Sequence, residues 1–170
     1  MKLRVRTMPS MNAAEAPEVG PVALRRAGPG DARAVADVLI RSRHAAVGSI
    51  PAAVHSEDEI REWITTVVIP EREVWMAVST DGQALAVLVL DDAWVDQLYV
   101  EAAWTGKGLG SRLMKLAKSR RPTGLQVWTF ATNVRAQQFY QRHGFVVAEL
   151  TDGSGNEEKE PDIRLVWAGP

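Results

Sequence analysis

The chain has 170 residues, of which 46% are apolar and 24% charged, and it contains no cysteine. About 100–200 residues make one domain with a core of its own, and the lack of Cys excludes a disulfide scaffold, a zinc ribbon and a thiol nucleophile. Twenty basic against 21 acidic residues leave a net charge of −1, which asks for neither a nucleic-acid nor a membrane partner.

Residues 7–21 are rich in Met, Ala, Pro and Glu and show no period, so 1–20 read as a disordered leader. A single domain is expected over 21–170. Lys2, Arg4 and Arg6 precede no long apolar stretch, so no secretory signal is expected and the protein reads as cytoplasmic. The longest clean apolar run, Ala84 to Leu90, is far shorter than the ~20 residues of a membrane helix.

Val22 to Arg26 make a short first strand, and Pro29-Gly30 open a helix with Val35, Val38, Leu39 and Ser42 on one face. Ser56 with Glu59 is a capping-box pattern, and Ile60, Trp63, Ile64 and Val67 form the face of the helix it starts. Pro70 is expected to end that helix. Val74 to Ser79 and Gln83 to Leu90 read as strands around an Asp81-Gly82 hairpin turn, and Trp94 to Val100 as a further strand. Leu109, Leu113, Leu116 and Ala117 line the next helix, Leu125 to Phe130 is a strand, and Ala136, Phe139, Tyr140 and His143 repeat the helical stripe before Gly144. Phe145 to Leu150 and Ile163 to Trp167 close the sheet. The order β-α-α-β-β-β-α-β-α-β-β predicts an α/β (mixed α+β) architecture: a central twisted sheet of six to seven strands with about four helices on its faces.

Thr105-Gly106-Lys107-Gly108-Leu109-Gly110-Ser111 lies between a strand and an amphipathic helix. Alternate glycines leave the backbone uncovered, so several N–H groups can point into one concavity beside the positive helix end, a site suited to phosphate. The spacing is GxGxG, neither the P-loop GxxxxGK[ST] nor the dinucleotide GxGxxG. A bare glycine-rich turn is the bland alternative.

Leu98-Tyr99-Val100, Thr105 to Gly110, and Asn133-x-x-Ala136-x-x-Phe139-Tyr140-x-x-x-Gly144-Phe145 together resemble the Gcn5-related N-acetyltransferase superfamily over residues 22–167. In that family the fingerprint Q/R-x-x-G-x-G/A binds the acetyl-CoA pyrophosphate. Thr105 stands where the family has Gln or Arg, and Ala102 where Pro is common. The resemblance implies that strands 94–100 and 125–130 splay to admit pantetheine and that Leu98, Tyr99 and Val100 pair with it through their backbones. It further implies that Thr105, Gly106, Lys107, Gly108, Leu109, Gly110 and Ser111 hold the pyrophosphate, that Asn133 fixes the pantetheine arm, and that Arg135 meets the phosphates of the nucleotide end. Lys107 and Arg112 are weaker phosphate candidates, Arg112 reading better as a surface charge.

Acetyl transfer to an amine needs a neutral nucleophile, a stabilised tetrahedral oxyanion and a proton for the departing thiolate. Tyr140 matches the family's tyrosine that protonates the sulfur; packing beside Phe139 is the alternative. A backbone N–H near Leu98 to Val100 can hold the oxyanion. Strand alternation places Asp96 on the face of Trp94, Leu98 and Val100, as a base or substrate ligand, or else in a structural hydrogen bond with water taking the proton. Asp91 and Asp92 read as turn acids. His44, His55 and His143 are too scattered for a metal, and His143 reads as a cation at its helix C-terminus. Residues 152–162 carry five acids and one base; they read as a solvated loop or, where the resemblance borders the acceptor cleft, as a collector of cationic amines.

The implied activity is acetyl-CoA-dependent transfer to a small molecule's primary amine, without a metal. The alternatives are a protein N-terminal or lysine acetyltransferase and a non-catalytic acyl-CoA-binding module. A homodimer is compatible with the resemblance.

Overall fold

The computed structural model describes residues 21–170; the expected leader, 1–20, lies outside them. Seven strands form one mixed sheet in the order β1-β2-β3-β4-β5-β7-β6. They are β1 (Ala23–Arg26), β2 (Glu73–Val78), β3 (Ala84–Asp91), β4 (Trp94–Val100), β5 (Leu125–Phe130), β6 (Val146–Leu150) and β7 (Asp162–Trp167). Helix α1 (Ala32–Ala45) follows a 3-10 turn at Pro29–Asp31. Helix α2 (Glu57–Trp63) runs through a π-helical turn, Ile64–Val68, into the single turn α3 (Ile69–Glu71), while α4 (Leu109–Arg120) and α5 (Val134–Arg142) complete the set.

The run Ala84 to Leu90 is apolar without alternation because β3 is covered on both faces. On one face, Val35, Val38, Leu39, Ile64 and Val68 pack on Val74, Met76, Val87 and Val89. On the other, Leu109, Leu113, Met114 and Ala117 pack on Leu88, Leu90, Leu125 and Leu165. Truncating a side chain as buried as Leu113 to Ala costs about 2–5 kcal/mol. This two-sided core fixes the helices that frame the site.

The expected face of the second helix is corrected in its last turn. Val68, not Val67, is fully buried. The π turn closes i→i+5 bonds and takes an extra residue, which advances the apolar face by one position. The same turn tolerates Pro70, so the helix ends at Glu71 and not at the proline. In α4, Met114 takes the fully buried place assigned to Leu116. Ser56 and Glu59 do form the reciprocal capping box.

Two irregularities shape the centre of the sheet. Strands β4 and β5 run parallel but share one paired position, Trp94↔Gln126, with Gln126 N–H donating to the Ala93 carbonyl at 2.9 Å. Beyond it they part, while β5 stays fully paired to β7. The splay expected between 94–100 and 125–130 is therefore present. Second, the β3–β4 register runs Val89↔Gln97 and then Leu90↔Val95, so Asp96 is the extra residue of a β-bulge. A bulge resets alternation: Val95 joins the core with Leu98 and Val100. Strict alternation, which put Asp96 on their face, fails here.

Candidate active site

The parted strands open a cleft of about 1370 Å³. Asp96, Leu98, Tyr99, Val100, Thr105, Gly106, Gly108, Gly110, Ser111, Asn133, Arg135 and Tyr140 all line it. Residues 35 positions apart in sequence and more are thus brought to one wall system by the splay. Lys107, Leu109 and Arg112 are the sequence candidates outside the lining. Leu109 is buried in the core, and Lys107 stacks its ammonium on Trp104, 4.9 Å from the ring centroid. Arg112, the weaker candidate, donates to the Val22 carbonyl at 2.7 Å and so ties α4 to the first strand.

The glycine loop is built as an anion cradle. Gly106 and Gly108 have φ of +79° and +84°, and nothing lies within 4 Å of where a Cβ would stand on either. The N–H groups of Gly106, Gly108, Leu109, Gly110 and Ser111 donate to no backbone carbonyl among the described residues; Lys107 N–H is turned back to Trp104 O at 3.3 Å. Gly108 is the N-cap of a twelve-residue helix whose first turn carries no acid. Free donors and the positive helix end thus converge without a protein counter-charge. This open, glycine-floored concavity fits a pyrophosphate.

Asn133 caps α5, its side-chain carbonyl accepting from Ala136 N–H at 3.1 Å, which leaves its amide NH₂ toward the cleft. Tyr140, two helical turns further on, is 6% exposed and wedged edge-on to Phe139 and tilted on Phe145. Its hydroxyl has no hydrogen-bond partner among the described residues. Burial pushes the phenol pKa well above 10, and the neighbouring Tyr99 adds to the shift. Tyr140 therefore keeps its proton at neutral pH.

Asp96 is tied by its carboxylate to the Arg72 guanidinium, which lies over Trp63 at 5.5 Å and within 3.5 Å of Asp91. Of the readings open for Asp96, this geometry favours the structural one, because the oxygen facing Arg72 is engaged. His143 is corrected: desolvation, followed by Lys118 and Arg142, lowers its pKa, so it is not the cation of its helix end. Lys118 takes that place, donating to the His143 carbonyl. The His143 ring instead meets the Ser111 hydroxyl at 3.0 Å, buttressing the start of α4.

At the other end of the cleft, the segment between β6 and β7 folds over α1. Glu157 pairs with His55 at 2.8 Å, and Glu158 approaches Arg43 to 3.5 Å. Arg43, Trp104 and Ser42 line the cleft; Arg43 and Trp104 were not singled out from the sequence, and Ser42 only as part of a helical stripe. A signal for Arg43 existed: it falls eight residues after Val35, on the buried stripe of α1. A charge on that stripe marks a place where the core gives way to a site.

The cleft thus joins a splayed strand pair, a floor of free amides at a helix start and a buried, protonated phenol. Residues 70–147 match the family model described as an acetyltransferase (GNAT) domain. The peptidyl-lysine N-acetyltransferase YjaB of Salmonella typhimurium is 24% identical over 106 residues, 62% of this chain and 72% of that one. The solution structure of apo-form YjaB from Escherichia coli superposes with a TM-score of 0.70 at 22% identity, over 88% of this chain and 99% of that one. The PaiA N-acetyltransferase from Thermoplasma acidophilum, solved in complex with coenzyme A, gives 0.65 at 19% identity over 87% and 99%. Among the described residues no helix is long and apolar enough to cross a membrane, and no group of acids and histidines is placed to hold a metal.

Proposed function

We infer that the protein moves an acetyl group from acetyl-CoA to the primary amine of a small molecule. The observation that carries this reading is the convergence of the free amides of the glycine loop, the open edge of β4 and Tyr140 on one cleft. Bound there, acetyl-CoA supplies an activated acyl thioester; the chain supplies position and protons.

The amides of Gly106 and Gly108 to Ser111 take the pyrophosphate charge, and the exposed edge of β4 at Leu98 to Val100 offers backbone groups to the pantetheine amides. The Asn133 NH₂ and Arg135 flank that arm. A β4 amide beside the bulge donates to the carbonyl oxygen as charge develops on it. Tyr140 holds its proton until the sulfur leaves as a thiolate, then donates it. Water takes the proton lost by the amine, with Asp96 holding the bulge through Arg72.

A small acceptor is supported by the contacts Glu157–His55 and Glu158–Arg43, which tie the acidic loop to α1 and the α1–α2 connection. The relatives named as peptidyl-lysine acetyltransferases favour a second reading, a lysine side chain of a protein. A panel of free amines and lysine peptides, incubated with acetyl-CoA and read by mass spectrometry, separates the two. Acetylated small amines with unmodified peptides are expected. Coenzyme A that fails to bind in calorimetry would refute the acetyl-CoA reading itself.

A further inference from the structure

Arg43 presents an unusual account of its hydrogen bonds. Its side chain is only 16% exposed, and among the described residues only Nη1 of its three nitrogens makes a hydrogen bond, to the Tyr99 hydroxyl at 3.4 Å. Nε and Nη2 are shut off from solvent and donate to nothing among the described residues. These two nitrogens form the lateral edge of the guanidinium, whose parallel N–H bonds match the two oxygens of one carboxylate. Beside them the Ser42 hydroxyl is a third buried polar atom without a partner among the described residues. A buried donor left unmade is costly, so native structures rarely keep three together without a use for them.

Glu158 does not fill the edge. Its Oε1 stands 3.5 Å from Nη2, close enough to balance the charge and too far and too poorly aimed to accept a hydrogen bond. With Glu158 turned aside, the edge would face the cleft that Arg43 and Ser42 line. The position is also right for an acceptor. The Tyr99 hydroxyl that Arg43 contacts belongs to the β4 edge, and Tyr99 is near enough to Tyr140 to influence its phenol. Arg43 thus lies one tyrosine away from the proposed proton donor.

Resting on the reading of this cleft as an acetyl-acceptor site, we propose that the lateral edge of Arg43 seats a carboxylate carried by the acceptor, so that the substrate amine is an amino acid or a molecule built like one. The carboxylate completes the fork on Nε and Nη2. Of the acids that line the cleft, Glu149 is paired with Arg164 at 2.8 Å, leaving Glu158 and Asp162 for the ammonium end, which loses its proton before attack. A zwitterion matches a wall holding both signs; a simple cationic amine leaves Arg43 opposed to it.

The test compares each of the proteinogenic amino acids with its own carboxamide, which keeps the amine and side chain and removes the negative charge. Wild-type enzyme with acetyl-CoA is expected to acetylate at least one amino acid with kcat/KM at least tenfold above its amide. Arg43→Gln should raise KM for that acid tenfold or more, leave KM for its amide within about twofold, and leave coenzyme A affinity unchanged. Arg43→Lys, which keeps the charge without the fork, should fall between. Amides acetylated as well as acids by the wild type would overturn the proposal without recourse to any variant. So would equal losses for acid and amide in Arg43→Gln, the result expected if Arg43 merely braces Glu158. If coenzyme A binds and lysine peptides but no amino acids are acetylated, the carboxylate site is wrong and the acetyltransferase reading stands. Failure to bind coenzyme A refutes both.

Discussion

Gly108 offers a perturbation whose costs to folding and to binding separate cleanly. Its φ is +84°, and an added Cβ meets no atom within 4 Å. Gly108→Ala therefore clashes with nothing in the protein, and its folding cost is the left-handed strain of an L-residue, about 1–2 kcal/mol. In a domain of this size that lowers Tm by about 2–8 °C. Gly82, in the β2–β3 hairpin, is a matched control: its φ is +88° and its surroundings are equally open. Both variants should lose similar stability. Only at Gly108 does the new methyl stand on the floor formed by the free N–H groups of the loop. Losing one hydrogen bond to a charged oxygen there costs about 1.5–3 kcal/mol, or about 10- to 150-fold in affinity. Calorimetric titration with coenzyme A, run beside thermal melts of both variants, measures the two costs independently. Equal coenzyme A affinity in Gly108→Ala and Gly82→Ala would show that the loop does not hold the pyrophosphate.

Tyr140→Phe keeps the ring packed between Phe139 and Phe145 and removes a hydroxyl that bonds to no described residue, so Tm should stay near wild type. Acetyl transfer should fall by about 10²–10⁴-fold with coenzyme A affinity retained; a rate within twofold of wild type would make Tyr140 a packing residue. Because burial raises the phenol pKa, the wild-type rate should show no loss from Tyr140 ionisation below pH 10, checked by the alkaline limb of its pH–rate profile. Glu73 clamps β2 to the end of α4: burial opposes its charge, but hydrogen bonds from Trp75, Arg121 and Arg120 outweigh it and hold the carboxyl at about 2. A carboxyl with a depressed folded pKa stabilises the fold above its unfolded value and loses that contribution as pH falls from about 4.5 toward 2, here about 2–3 kcal/mol. Glu73→Gln should flatten the acid limb of stability measured by urea unfolding between pH 5 and 2.5; an unchanged limb would remove the clamp from the account.

The glycine loop and the α5 motif were legible because their chemistry is written locally. Glycine at 106 and 108 answers to positive φ, and Asn133 three residues before Ala136 answers to an N-cap. The helix and strand order was legible from apolar period alone. What the sequence hid depends on relations between elements. A π turn has no signature residue, so the shift of the buried face from Val67 to Val68 was invisible. The bulge at Asp96 arises from the mismatch of β3 and β4 registers, and either strand alone reads as regular. His143 looked like a helix-end cation until Lys118, from another helix, proved to take the carbonyl. Arg43 was the nearest miss: it sat on the right stripe, but its significance required knowing which partners it lacked.

Asp96 is where these hidden relations bear most on the chemistry, and a pair of substitutions decides its role. As a proton acceptor, its carboxylate alone matters: Asp96→Asn would lower kcat/KM by about 10²–10⁴-fold, while Arg72→Gln would leave the carboxylate in place and free of its partner. As the anchor of the bulge, the pair matters and each half is worth the same. Both side chains are less than one-third exposed, so breaking the pair should cost about 1–3 kcal/mol, between an open surface pair and a fully buried one. The bulge would then loosen in either variant, moving the β4 amides that face the cleft. The ion pair predicts that Asp96→Asn and Arg72→Gln lower Tm alike and slow acetyl transfer alike, with the shape of the pH–rate profile unchanged in both. Thermal melts and kcat/KM between pH 6 and 9 supply the comparison. A collapse of rate confined to Asp96→Asn, with the acid limb of the profile gone, would return Asp96 to the role of base.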